Sequence, residues 1–240
     1  MARVCAGWHV ATPVIVRDDL VSTDLLGDYL SVSLATAKIV LTGTAGQDRA
    51  DVIPIDKGIV LVVADGAGGM GGGAEAAEHV IEAVRHTFTT SLSVGDAVHV
   101  LRAVDRDLAS KGGGQTTAVV VMVSPLLILG ASVGDSGAWL VRERGVIDLT
   151  RNQTRKPLLG SGSAVPVSFR RDEALDGTLI VASDGLFKYG KSERLCEAAR
   201  NPQLEIVPAS LVDAVRLPSG NLQDDVAIIA CRPIKQDSRA

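Results

Sequence analysis

Two hydrophobic rhythms alternate along the chain. "VSLATAKIVLTG" (32–43) reads as a strand, and "GIVLVVADG" (58–66) is a short unbroken apolar run, the pattern of a strand buried on both faces. The period then changes. Ala77, Val80, Ile81, Val84 and Phe88 recur at helical spacing and predict a helix over 74–90. Val100, Leu101, Val104 and Leu108 predict a second helix over 95–110, opening at Gly95-Asp96 and stopping at "KGGG". "TTAVVVMV", "LLILGASVG", "GAWLVRER" and "GVIDLT" follow as strands with tight connections, the mark of an antiparallel meander. The segment 151–177 is rich in Gly, Pro, Ser and Arg and reads as an irregular excursion. "TLIVASDGL" reads as a further buried strand, helices are expected near 191–200 and 205–216, and "DDVAIIACRPI" closes the series. Strands, helices, strands, helices and strand do not alternate strictly, so the order predicts an α+β fold of packed antiparallel sheets with helices outside.

Composition narrows the class. The chain has 240 residues, is 46% hydrophobic and 22% charged, and carries a net charge of −4, which suits one globular domain with a large core. Residues 1–30 mix acids with Pro13 and Gly27 and read as an extension, 31–235 as the domain, and 236–240 as a tail. The mild negative balance argues against nucleic acid as a partner, and no polybasic segment addresses a membrane surface. The longest apolar run, 118–134, is broken by Ser124-Pro125 and reads as two strands, not a membrane span. His9, Pro13 and Arg17 interrupt the start, leaving no apolar centre for a secretory signal. Cys5, Cys196 and Cys231 are scattered without metal spacing, which fits reduced thiols and a cytoplasmic location.

Acids punctuate the strands. "VVADG" ends at Asp65, "ASVGDS" at Asp135 and "IVASDG" at Asp184; "QDDVAIIA" opens with Asp224-Asp225, and "GQDRADV" places Asp48 in a turn. A carboxylate beside a Val/Ile strand is costly to bury unpaired, and the flanking residues are Gly, Ala, Ser and Val. Each acid alone could start a turn or cap a helix. Repeated at several strand ends, the pattern points to an oxygen-rich site for Mg²⁺, Mn²⁺ or Ca²⁺, not zinc. After Asp65 come six glycines in eight residues, 66–73. They are expected to let backbone approach an ion and offer a carbonyl. No GK[ST] follows, so this is not a P-loop, and an acid preceding the glycines suits dinucleotide binding poorly.

Six motifs, "GQD" (46–48), "ADGAGG" (64–69), "GGGQTTA" (112–118), "VGDSG" (133–137), "ASDGL" (182–186) and "QDDVAII" (223–229), resemble in order those of the metal-dependent protein serine/threonine phosphatases, the PPM or type-2C family, in its compact bacterial form. The resemblance implies a four-layer αββα sandwich with the metal centre at one edge, and 151–177 as a flap-like segment. It implies two Mn²⁺ or Mg²⁺ ions. Asp65 would bridge both, Asp184 and Asp224 would complete one site, and Asp48 with the Gly66 carbonyl would hold the other; Asp135 matches a ligand of a third, looser ion. The implied chemistry is attack on phosphorus by a metal-bridging hydroxide, with Asp65, Asp184 and Asp224 as the catalytic acids. The implied partner is a phosphorylated protein, a kinase or a kinase target, met by a monomer. The chain departs from the family pattern at Gly43, where an Arg usually grips phosphate, at Ala67, Met70 and Gly137, and at Asp225 in place of Asn. His79 and His86 are expected to be ordinary helix residues, and Ser136 and Ser183 to make structural hydrogen bonds. Two other readings stand beside the phosphatase: a non-catalytic module of the same fold that binds a phosphorylated partner or regulates a kinase, and a hydrolase acting on small phosphoesters or on an anti-sigma-type regulator.

Overall fold

The computed structural model describes residues 34–56, 58–68, 71–88 and 93–234; the extension 1–30, the tail 236–240, Cys5, His9 and Met70 lie outside the described residues. Among the described residues, ten strands form two antiparallel five-stranded sheets. One contains β1 (Leu34–Leu41), β10 (Val226–Pro233), β9 (Thr178–Ala182), β6 (Gly137–Val141) and β7 (Val146–Asp148), in that order. The other runs β2 (Asp48–Ile55), β3 (Gly58–Asp65), β4 (Ala118–Ser124), β5 (Leu127–Val133) and β8 (Val167–Arg171).

The period-two alternation of strand side chains turns this order into layers. Leu61, Val63, Val119 and Val121 of the second sheet meet Leu140, Val181, Ala227 and Ile229 of the first, forming a core between the sheets. The alternate residues Val60, Val62, Val120 and Met122 face helices α1 (Gly73–Thr87) and α2 (Val94–Lys111). On the far side, Ile180, Ala182, Ile228 and Ala230 pack under α4 (Ser192–Ala199) and α5 (Val207–Val215). The central strands thus bury both faces, which is why they read as unbroken apolar runs. The result is the expected αββα sandwich of an α+β protein. Helix α2 has clear punctuation: the Ser93 hydroxyl accepts from the Asp96 amide at 3.1 Å, and Gly112 ends the helix in the left-handed conformation at φ 62°.

The structure differs from the sequence reading at three places. Asp48 opens strand β2 instead of sitting in a turn. The excursion 151–177 contains a strand, β8, whose Val-Ser-Phe-Arg-Arg pattern is masked by surrounding charge. "SDGLF" turns into a four-residue helix, α3 (Asp184–Phe187), directly after β9.

Candidate metal centre

The acids gather where the two sheets end together. In the β2–β3 pair, Asp48 stands directly opposite Asp65. Side-chain parity places both toward the gap between the sheets: Ala50 and Val52 of β2, and Leu61 and Val63 of β3, share that face and pack in the central core. Across the gap, β9 ends at Ala182 and β10 begins at Val226, with the Ser183 amide bonded to the Ala227 carbonyl at 3.0 Å. Asp184 and Asp224 therefore project from the same end of the opposite sheet.

The backbone around Asp65 is fixed from the β4 side. Its amide donates to Thr117 Oγ1 at 3.1 Å, and its carbonyl accepts from the Thr117 amide at 2.8 Å and Thr116 Oγ1 at 2.9 Å. Thr117 Oγ1 in turn lies 2.6 Å from Ser136 Oγ, and Ser183 Oγ accepts from the Ala227 amide at 3.0 Å, the structural roles expected of both serines. The glycines serve loop-to-loop packing: a Cβ on Gly66 would collide with the Gly73 carbonyl, and one on Gly114 with the Gly72 carbonyl. The "GGAE" and "KGGGQ" loops touch backbone to backbone, and this contact seats Asp65 between β3 and α1.

Electrostatics single out one pair. Burial, followed by the charges of Asp48 and Asp184, pushes the Asp65 carboxyl up to about 9. Burial also raises Asp48 to about 6, partly offset by hydrogen bonding to Ser183 and Asp65. Asp184 is raised, first by burial and then by Asp135. Asp48 is only 3% exposed, and its Oδ2 is buried without a hydrogen-bond partner. Two facing carboxyls, one with an orphaned oxygen, have the donor chemistry of a hard divalent cation. Among the described residues, no group of three or more acids is already drawn around a common point.

The remaining acids sit differently. Asp135 is held by Arg155, which donates to Oδ2 through Nε at 2.9 Å and Nη2 at 2.7 Å. Asp224 Oδ2 lies 3.5 Å from Lys188 Nζ. Asp225 binds the β1–β2 turn: Oδ1 accepts from the amides of Gly43 (2.9 Å), Thr44 (2.8 Å) and Ala45 (3.2 Å), and Oδ2 from Gln47 (2.8 Å). These bonds hold its carboxyl below the usual range against the opposing effect of burial. Lys188 was not legible in the sequence as a neighbour of the site; its position four residues after Asp184 becomes meaningful once that stretch is a helix turn. His79 Nε2 pairs with Asp107 at 2.8 Å on the helix layer, and His86 and His99 are exposed.

A pH effect follows. Folded Asp48 and Asp65 keep protons at pH values where the unfolded carboxyls, with an ordinary value of 3.8, have released them. Their contribution to stability is complete below that value and is lost as pH rises through about 6 and then about 9. Asp225 acts oppositely, and its contribution is lost as pH falls below 3.8. Thermal unfolding in EDTA is expected to show the melting temperature falling by several degrees from about pH 5 to about pH 8. Manganese should restore more of it at the upper end. A melting temperature that rises or stays level across that interval contradicts the assignment.

No protein-family model matches the chain, and no curated protein matches it in sequence. Solved structures do match in fold. The catalytic domain of the serine/threonine phosphatase PstP, in complex with two manganese ions, is 21% identical at a TM-score of 0.72, covering 85% of this chain and 99% of that one. Stp1 from Staphylococcus aureus is 20% identical at a TM-score of 0.72, with 88% and 97% covered. PppA, a regulatory component of the T6SS in Pseudomonas aeruginosa, is 18% identical at a TM-score of 0.70, with 85% and 99% covered. The two five-stranded sheets, their helical outer layers and the acids at the sheet edge together give this chain the fold of the bacterial PPM-type serine/threonine phosphatases.

Proposed function

We propose that the chain is a divalent-metal-dependent phosphatase that removes phosphate from serine and threonine of a phosphorylated protein. The observation that carries this reading is the buried Asp48–Asp65 pair, facing across β2 and β3, with Asp48 Oδ2 left without a partner. A pair of Mn²⁺ or Mg²⁺ ions would supply acidification of a water and neutralisation of phosphoryl oxygens. Asp65, Asp48, the Gly66 carbonyl, Asp184 and Asp224 are the groups that would hold these ions. Asp135, whose Oδ2 stays with Arg155, is the candidate to offer its other oxygen to a third ion.

The chain's own groups do the rest. The Thr116 and Thr117 bonds keep Asp65 from rotating with its strand end, and the sheet register keeps Asp48 opposite it. The excursion 151–177 lies beside the acids through Arg155 and is the segment best placed to meet a protein substrate. The reading has the enzyme working in the cytoplasm as a monomer, on a kinase or a kinase target, with neither nucleic acid nor membrane as partner. Among the described residues, no helix is long and apolar enough to cross a membrane.

The test is hydrolysis of p-nitrophenyl phosphate and of a phosphothreonine peptide with Mn²⁺, with Mg²⁺ and in excess EDTA. Turnover with either ion and loss in EDTA is expected. Full activity in EDTA removes the metal from the mechanism, and a folded protein inactive with every divalent ion supports the non-catalytic binding module instead.

A further inference from the structure

We propose that Lys188 is the side chain that grips the substrate phosphate. This rests on the phosphatase reading above and adds to it the group that holds the dianion. A phosphate brought to an acid-rich edge needs a cation that is near the acids yet free to turn. The nearby basic side chains differ sharply in that freedom. Arg49 is held at two of its nitrogens: Nε donates to Glu78 Oε2 at 2.9 Å, and Nη1 to the carbonyls of Gly46 at 3.0 Å and Asp48 at 2.9 Å. Arg155 is committed to Asp135 by two short charge-assisted bonds. Gly43 cannot contribute any side chain in this backbone, because a Cβ there would collide with the Asp224 carbonyl oxygen.

Lys188 is placed otherwise. Its Nζ stands 3.7 Å from Asp184 Oδ2 and 3.5 Å from Asp224 Oδ2, close enough for attraction but beyond the usual hydrogen-bond distance. It is 47% exposed and lies over the Tyr189 ring at 4.9 Å from the centroid. The ammonium sits at the mouth of the site, on the turn that begins with Asp184. When those two carboxylates are neutralised by divalent ions, the attraction holding the ammonium between them falls away. A point charge with three donors on a four-carbon stem then faces the entering phosphate.

Inorganic phosphate is the probe. Calorimetric titration of Mn²⁺-loaded wild type, Lys188→Met and Lys188→Arg should show phosphate binding weakened about tenfold in Lys188→Met, the loss expected of one charge-assisted hydrogen bond. Lys188→Arg should stay within about threefold, since it keeps the charge. Mn²⁺ binding, titrated separately, should be as tight or tighter in Lys188→Met, because a competing cation is gone. Michaelis constants for p-nitrophenyl phosphate should follow the phosphate affinities. Lys188→Met binding phosphate as wild type does overturns the assignment, as does loss of Mn²⁺ binding in that variant. A wild type that binds phosphate through Lys188 yet turns over nothing keeps this assignment and removes catalysis. Turnover with phosphate affinity indifferent to Lys188 does the reverse.

Discussion

Asp65→Asn is expected to abolish metal-dependent hydrolysis and, at the same time, to make the metal-free protein more stable. The carboxylate is the centre of the proposed ion pair, and losing a Lewis-acid site removes several kcal/mol of transition-state stabilisation, on the order of 10³-fold in rate. The gain in stability has the same origin. At neutral pH the folded chain must hold Asp65 protonated beside Asp48, whereas the unfolded chain ionises it freely. An amide has no such penalty and can still donate to Asp48, so thermal unfolding in EDTA should report a gain of about 2 kcal/mol. Manganese should raise the melting temperature of wild type and leave that of the variant nearly unchanged. A variant that is less stable without metal, or that retains the manganese shift, shows that Asp65 is not under the electrostatic stress described.

Asp225→Ala is the second large effect, and it falls on stability. One carboxylate satisfies the amides of Gly43, Thr44, Ala45 and Gln47 in a setting where Asp225 is 5% exposed. Alanine leaves several of these donors without an acceptor, at a cost of about 3 kcal/mol after water enters. Asn keeps one acceptor oxygen but turns an N–H₂ toward a donor, so Asp225→Asn should cost about 1–2 kcal/mol. Because the turn leads directly into Asp48, both variants should also weaken Mn²⁺ binding, as read by calorimetry. Denaturant midpoints indistinguishable from wild type would mean that the turn holds itself.

Much of this was legible in the residues. Val60 to Val63 and Val119 to Val123 announce strands covered on both faces, and the helical spacing of Val80, Ile81 and Val84 survives as the buried side of α1. The acids at strand ends were legible one by one, because a carboxylate against a Val/Ile run asks for a reason. What each acid faces was not, since that depends on contacts between distant elements. Asp225 reads like its neighbour Asp224 but turns to a loop far earlier in the chain, with Gly43 lying 182 residues before it. Asp135 reads like Asp184 but meets an arginine of the excursion. The glycines drew attention to an ion, and the close approaches of Gly66 to Gly73 and of Gly72 to Gly114 depend on a fold that the sequence does not display. β2 escaped notice because Arg49, Asp51 and Pro54 interrupt its pattern; only Ile53 and Ile55 bury themselves against the helices.

The pairing of Asp48 with Asp65 also limits how this chain can change. A strand presents alternate residues to opposite sides, so one residue gained or lost inside β2 or inside β3 would send that strand's carboxylate to the helix layer or break the pairing. The two strands can accept new side chains but not a new length. The stretch after 150 is pinned too, by backbone bonds and not by parity: Leu159 exchanges bonds with Thr116, and Asp105 accepts from the amides of Gly160, Gly162 and Ala164, which leaves the short run from Ala164 into β8 as the place where length can change without disturbing the acids.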